Sequence, residues 1–154
     1  MLRDNFVTLN KPIPATYKAA SAMKTGMAVV IDDANKEVKL PAAATADNLY
    51  FVNKERIAQT AGSQAYKSDY DDLYVNIAED EFVKIEKYYP GEEFLTDAKG
   101  ATATVGKVVL AGTDGKLTDA TSTAKSPYLY VAEVTDNGHA LMKIRVLDTA
   151  IANS

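Results

Sequence analysis

The amino-acid sequence predicts an all-β fold, an antiparallel β-barrel or sandwich with an extended N-terminal arm and one minor short helix. Three observations lead to this prediction. Apolar residues come in short runs of strand length, the runs are rich in β-branched and aromatic residues, and turn-forming residues separate them at close intervals. At 154 residues the chain is long enough to bury a core as a single domain.

The first 24 residues are predicted to form an arm outside this domain. Pro12 and Pro14 fix φ and remove two backbone donors, so the chain around them is expected to run extended and to avoid a central strand. The arm has too few apolar residues to build a core, and we expect it to become ordered on another subunit. Removing residues 1–20 is therefore expected to leave the barrel folded and to weaken attachment to a partner.

The rest of the chain, residues 25–154, is predicted to be one β-rich domain. Its predicted strands are residues 27–31, 38–40, 49–52, 73–77, 82–85, 108–111, 128–134 and 141–147. Gly, Pro, Asn and Asp favour turns at residues 32–35, 90–91, 97–100, 112–115 and 136–138. Because alternate strand residues share a face, eight side chains are expected to point inward: Val29, Ile31, Val83, Ile85, Val109, Val131, Ile144 and Val146.

Between the predicted strands, residues 53–65 are the one stretch that could hold a short helix, and Gly62 would end it. Residues 64–72 are predicted to be an exposed loop. The sequence also contains an internal similarity. Residues 25–55 and 105–134 share a glycine, an apolar run, a turn, a short strand, an Ala/Thr spacer and a tyrosine-containing strand. They are either two related hairpin units or two unrelated hairpins, since β-hairpins in general resemble one another in sequence.

Composition and charge exclude several classes of function. The chain has no cysteine, which rules out thiol catalysis, disulfides and cysteine-ligated zinc. Its 17 basic and 21 acidic residues give a net charge of −4, which argues against nucleic-acid binding. No stretch approaches the length of a membrane span, and the first residues lack the apolar segment of a signal peptide. We therefore expect no membrane association and synthesis in the cytoplasm.

The sequence offers little catalytic chemistry. His139, the one histidine, directly follows Asn137 and Gly138 and is expected to be a solvated turn residue. Carboxylates cluster without the spacing of a calcium loop, at Asp32 and Asp33, at Asp69, Asp71 and Asp72, and at Glu79, Asp80 and Glu81. No phosphate-binding glycine motif is present. We expect a protein that is not an enzyme and that needs no cofactor and no metal.

Two stretches carry a resemblance to a known family. Residues 90–120, PGEEFLTDAKGATATVGKVVLAGTDGKLTDA, and residues 128–147, YLYVAEVTDNGHALMKIRVL, resemble the small β-barrel decoration (cement) proteins of tailed-bacteriophage capsids. The resemblance extends over residues 26–52 and 90–148. It implies a virion structural protein on the capsid exterior, made in the host cytoplasm. Its implied partners are the major capsid protein and other copies of itself, with a trimer as one arrangement.

Nine residues are candidates for contact with a partner. They are Lys11, Pro12, Ile13, Pro14 and Tyr17 of the arm, and Tyr66, Tyr70, Tyr88 and Tyr89 of a tyrosine-rich stretch. A tyrosine suits such contacts because its ring is apolar and its hydroxyl forms hydrogen bonds. Two alternatives stay open. A carbohydrate- or host-surface-binding module would need the tyrosines on one exposed face, and a carboxylate hydrolase would need a deep cleft.

Overall fold

The computed structural model describes residues 1–6, 13–54 and 70–154. Its strands are Leu2–Phe6 (β1), Ile13–Ala19 (β2), Met23–Lys24 (β3), Ala28–Asp32 (β4), Glu37–Lys39 (β5), Tyr50–Lys54 (β6), Asn76–Ile77 (β7), Phe82–Glu86 (β8), Glu93–Thr96 (β9), Val109–Ala111 (β10), Leu117–Asp119 (β11), Lys125–Asp136 (β12) and His139–Ala152 (β13). One helical turn, Asp72–Val75 (α1), precedes β7. Strands make up 54% of the molecule and helix 3%, which confirms the all-β prediction.

Five strands close into a barrel, here called the first ring, in the order β2-β5-β4-β6-β8. The join between β2 and β5 is parallel, and every other join is antiparallel. Alternate residues of these strands fill the interior, among them Val29, Val38, Val52 and Ile85, each with no exposed surface. This arrangement places the apolar side of every strand around one small core.

The C-terminal half repeats the same circuit, here called the second ring, in the order β9-β11-β10-β12-β13. Long ladders join β12 to β13 and β13 to β9, and a hairpin joins β10 to β11. Isolated bridges just outside the named strands supply the other two joins. A parallel bridge joins Lys99, three residues after β9, to Leu117, and an antiparallel bridge joins Val108, directly before β10, to Leu129. Both rings therefore have the same strand order and one parallel join at the same place.

The two rings also share a local hydrogen-bond pattern at the glycines that open their hairpins. In the first ring the Gly26 N–H donates to the Val52 oxygen at 2.8 Å, and the Val52 N–H donates back to the residue after Gly26 at 3.0 Å. In the second ring Gly106 and Tyr130 make the same two bonds at 2.8 and 3.0 Å. Both glycines have positive φ, +94° and +87°. The sequence similarity between these stretches thus corresponds to a similar structure.

A single aromatic cluster lies between the rings. Phe51 of the first ring is 4.4 Å from Phe94 of the second, measured between ring centroids, and Tyr88 stacks on Phe94 at 4.1 Å. Tyr128 packs edge-on against Phe51 at 5.8 Å. Because these side chains are almost fully buried, the rings share a core.

The N-terminal segment differs from the predicted arm. It is extended as expected, but β1 pairs with β9, and β2 lies between β5 and β8 in the first ring. Leu2, Ala19 and Met23 are buried. The expectation that this segment is ordered on another subunit is therefore corrected for its described residues, because their partners lie within the same chain.

The helix and one strand also differ from the prediction. Of the predicted helix, residues 55–65 lie outside the described residues. The observed turn α1 falls where a strand was predicted at 73–77, because the N–H groups of Tyr74 and Val75 donate to the Asp71 oxygen at 2.8 and 3.1 Å. Only the last two residues of that predicted strand, in β7, are extended.

Six of the eight predicted core residues are buried: Val29, Val83, Ile85, Val109, Ile144 and Val146. The other two are half-buried. Val131 lies where the pairing of β12 with β13 shifts register, between Tyr130 and Ala132, so strict alternation ends there. Ile31 borders an open cleft beside β4.

Candidate functional site

The open edge of β1 is the first surface able to bind a partner. β1 is the terminal strand of the sheet β1-β9-β13-β12, and among the described residues no strand pairs with its other side. It ends on Phe6, whose side chain is 57% exposed. Unpaired strand edges readily accept another strand, and exposed aromatic residues are common at interfaces.

The outer face of β1 is occupied by contacts within the chain. Arg3 forms an ion pair with Asp136 at 2.9 Å, and the Asn5 amide donates to Glu93 at 2.7 Å. Glu93 also pairs with Lys143 at 2.8 Å and with Arg145 at 2.6 Å. Hydrogen bonds from Lys143 and Arg145 lower the pKa of Glu93. These charges satisfy one another, which leaves the backbone edge and Phe6 as the binding features of this strand.

Tyr88, a candidate contact residue, belongs to the core. It is 3% exposed, and its hydroxyl lies 2.7 Å from an Asp4 oxygen and 2.8 Å from a Glu86 oxygen. Burial and these carboxylates raise its pKa. Tyr88 therefore anchors β1 to the molecule, and its place among exposed contact residues is corrected.

Tyr70 and His139 form a second cluster at the tip of the β12–β13 hairpin. Their rings stack with centroids 3.7 Å apart, and the Tyr70 hydroxyl donates to Asp136 at 2.7 Å. Partial burial, and then the bond to Asp136, raise the pKa of Tyr70. His139 is exposed, as predicted, but it packs on Tyr70. Asp136 thus holds both Tyr70 and Arg3.

Tyr17 and Tyr89 lie apart from these clusters. The Tyr17 hydroxyl donates to Asp33 at 2.7 Å, which raises the pKa of Tyr17, and the Lys36 amine lies 5.8 Å from its ring. Tyr89 is 40% exposed in the turn before β9. The four candidate tyrosines that the structure describes therefore have separate sets of contacts, and one of them, Tyr88, is buried.

The remaining candidates are only partly described. Lys11, Pro12 and Tyr66 lie outside the described residues. Ile13 and Pro14 belong to β2, where Ile13 pairs with Ile85. The backbone of these two residues is thus part of the first ring.

The carboxylate cluster at Asp32 and Asp33 stabilises the turn between β4 and β5 through Asp32. Asp32 accepts the N–H groups of Ala34 and Asn35 at 3.1 and 3.2 Å and the Lys39 amine at 2.6 Å. Hydrogen bonds from Lys39 and Asn35 lower the pKa of Asp32 to about 2. Within the part of the chain that the structure describes, no three His, Cys, Asp or Glu side chains are grouped as metal ligands would be.

A cleft of about 460 Å³ lies beside β4. Ile31 of β4 lines one side, and Thr45, Asp47 and Tyr50 line the other. The cleft has no signal in the sequence, because it depends on where β4 separates from the chain that precedes β6.

Comparison of the chain with protein-family models, with curated proteins and with solved structures finds no match. Among the described residues, no helix is both long and apolar enough to cross a bilayer.

Proposed function

We propose that the chain is a non-enzymatic structural protein of a bacteriophage virion, a decoration protein that binds the outside of an assembled capsid and stabilises it. The sequence resemblance described above suggests this role. One structural observation supports it, the open edge of β1 that ends on exposed Phe6.

The edge of β1 replaces the region around Tyr17 as the proposed contact, because β2 is part of the first ring. Strand addition supplies main-chain hydrogen bonds, and a pocket for Phe6 supplies specificity. A stable contact of this kind buries about 1,200 to 2,000 Å² in total, so neighbouring surfaces also take part. Because the charged residues beside β1 pair within the chain, attachment depends little on ion pairs with the capsid.

Stabilisation follows from mass action. A protein that binds the assembled shell and not its free subunits stabilises the shell by about 2.7 kcal/mol per site at one hundred times Kd. Because the sites repeat over the shell, the effect multiplies.

The test is a titration of undecorated capsids, from the phage that encodes the chain, at low and high salt and then with heating. We expect saturable binding that persists at high salt and shells that rupture at a higher temperature. Binding that falls steeply with salt would contradict the proposed contact, since charge-steered association is screened. No binding to capsids would reject the proposal, and binding to soluble glycans instead would favour the carbohydrate-binding alternative.

A matched pair of variants tests the contact itself. Phe6→Ser removes the exposed aromatic side chain of the β1 edge, whereas Val105→Ser removes an apolar side chain of similar exposure, 51%, outside β1. Burying a phenylalanine contributes about 1.5 to 3 kcal/mol, so Phe6→Ser is expected to weaken capsid binding about tenfold or more. Equal effects of the two substitutions would contradict a contact through β1.

A further inference from the structure

Each ring has a spacer between the second and third strands of its hairpin unit. The first spacer is residues 40–49, between β5 and β6, and the second is residues 120–124, between β11 and β12. The first spacer forms backbone hydrogen bonds with a strand edge of the second ring, at Ala111 of β10. The Ala111 N–H donates to the Thr45 oxygen at 2.8 Å, and the Thr45 N–H donates to the Ala111 oxygen at 3.0 Å.

The residue that matches Ala111 in the first ring is Ile31. Ala111 lies opposite Leu117, and Ile31 lies opposite Val38. The backbone of Val38 faces β2, since its carbonyl oxygen accepts a hydrogen bond from the Ala20 N–H at 3.0 Å. In antiparallel pairs a residue directs both backbone groups to one side. Ile31 therefore directs its N–H and C=O away from β5.

These two backbone groups of Ile31 point toward the cleft beside β4. They form no hydrogen bond with any residue in the described part of the chain. Ile31 thus corresponds to Ala111 in the first ring. Ala111 exchanges two backbone hydrogen bonds with Thr45, whereas Ile31 has no such partner among the described residues.

The second spacer is the counterpart of the first, but it pairs with no strand edge among the described residues. It contains Thr123-Ala124, which precedes a tyrosine strand in the same way as Thr45-Ala46 in the first spacer. Thr123 is exposed, and its backbone makes no hydrogen bond with the described residues. Lys125, which follows, is also exposed.

We infer that the second spacer of one copy pairs with the Ile31 edge of another copy. Each chain has two matching strand edges, at Ile31 and at Ala111, and two spacers, and the Ala111 edge already pairs with the first spacer within the chain. The remaining edge and spacer are complementary between copies. Charge supports the same pairing, because Asp33 and Asp47 line the cleft and Lys125 lies two residues after Thr123. Such a head-to-tail contact builds a closed ring of copies or an open chain. It is independent of capsid binding.

Two proline variants test the pairing, because proline has no N–H to donate. Ile31→Pro and Thr123→Pro remove donors that the described chain does not use. We expect the wild-type protein to assemble with increasing concentration in sedimentation experiments and each variant to stay monomeric. Circular dichroism checks that each variant is folded. A monomeric wild-type protein at all concentrations up to the millimolar range, or variants that assemble like it, would overturn the inference.

Mixing the variants provides the decisive result. Ile31→Pro keeps an intact second spacer, and Thr123→Pro keeps an intact edge, so the mixture is expected to form a one-to-one heterodimer and nothing larger. A contact that uses the same surface on both copies would give no such complementation. If the mixture stays monomeric, the head-to-tail pairing is wrong.

An exchange of two charged residues tests the same contact without proline, which could disrupt the fold. Lys125→Glu changes an exposed side chain and is expected to weaken assembly about tenfold, since it places like charges together. Asp47→Lys in the same chain is expected to restore assembly. The backbone bond from Asp47 to Thr45 does not involve the substituted side chain. Failure of the double variant to recover any assembly would contradict the proposed contact.

Discussion

Gly26 is held in a conformation that favours glycine at a place where a side chain has no room. Its φ is +94°, and a Cβ there would lie 2.5 Å from the Met1 carbonyl oxygen and 2.6 Å from the Thr96 hydroxyl. Gly106, its counterpart in the second ring, has φ +87° and no atom within 4 Å of such a Cβ. Adding a side chain at either position strains the backbone, but only at Gly26 does it also cause steric overlap.

We predict that Gly26→Ala destabilises the protein by about 1 to 3 kcal/mol more than Gly106→Ala. Both substitutions carry the strain of positive φ, about 1 to 2 kcal/mol, but only the first forces the Met1 backbone, directly before β1, to move. Urea unfolding of the two variants measures the difference. Equal losses of unfolding free energy would show that β1 yields without cost.

Asp32 is predicted to contribute to acid sensitivity. Its pKa is lowered from 3.8 to about 2 in the folded protein, so the unfolded chain binds the proton more readily. The contribution of its charge is present above about pH 4 and is lost as the pH falls toward 2. Asp32→Asn, which keeps an oxygen acceptor for the turn, is expected to lack this loss in unfolding curves between pH 5 and pH 2.

The control for this experiment is Asp148→Asn, because the Asp148 side chain is exposed and makes no hydrogen bond or ion pair with the described residues. Its pH profile is expected to follow that of the wild-type protein. A parallel shift in both variants would assign the acid sensitivity to net charge instead of to the turn.

At the scale of single elements, β2 is essential to the first ring. It joins β5 on one side and β8 on the other, and Ala19 is 1% exposed while the neighbouring Lys18 side chain is 45% exposed. The earlier expectation for removal of residues 1–20 is thereby reversed. Such a deletion opens the barrel, and we expect it to abolish folding.

Two substitutions in β2 test this role without deletion. Ala19→Asp buries an unpaired charge and is expected to cost at least about 3 kcal/mol, whereas Lys18→Ala removes an exposed side chain and one long surface ion pair, to Asp80 at 3.9 Å, and is expected to have a small effect. Thermal unfolding followed by circular dichroism compares them. Similar midpoints for the two variants would show that β2 is not part of the folded barrel.

Elements were predictable where the pattern is local. The Gly112–Gly115 turn between β10 and β11 forms because the turn preferences of aspartate and glycine act over four residues, and Gly115 has the expected positive φ of +73°. β1 was missed because LRDNF contains only two apolar residues, and its partner β9 lies far along the chain. The two prolines predicted a segment outside the barrel, yet Pro14 lies in β2, a strand of the first ring.

The candidate contacts were less predictable than the strands, because adjacent residues of extended chain face opposite ways. Tyr88 and Tyr89 are consecutive, yet the first is buried and the second is exposed. The residue type alone does not predict which of the two tyrosines faces the core and which faces the surface. The Ile31 edge likewise depends on which strands separate, which is decided by contacts between distant segments.

At the scale of the whole molecule, the shared aromatic cluster makes the two rings one cooperative unit. We predict that Ile85→Ala, a change inside the first ring, lowers the free energy of unfolding by about 2 to 5 kcal/mol. Hydrogen exchange is expected to show an equal loss of protection in the slowest amides of both rings. Unchanged protection in the second ring would mean that the rings unfold separately.

The turn between β12 and β13 has a practical consequence for engineering. It consists of Asn137 and Gly138, both exposed, whereas the same connection in the first ring carries residues 55–81. Because doubling the length of a loop costs only about 0.6 kcal/mol, this tip is expected to accept an inserted peptide with the barrel intact. A chain carrying an epitope there is expected to unfold at nearly the wild-type urea concentration. The protein would then serve as a scaffold that displays foreign cargo from a stiff two-stranded stem.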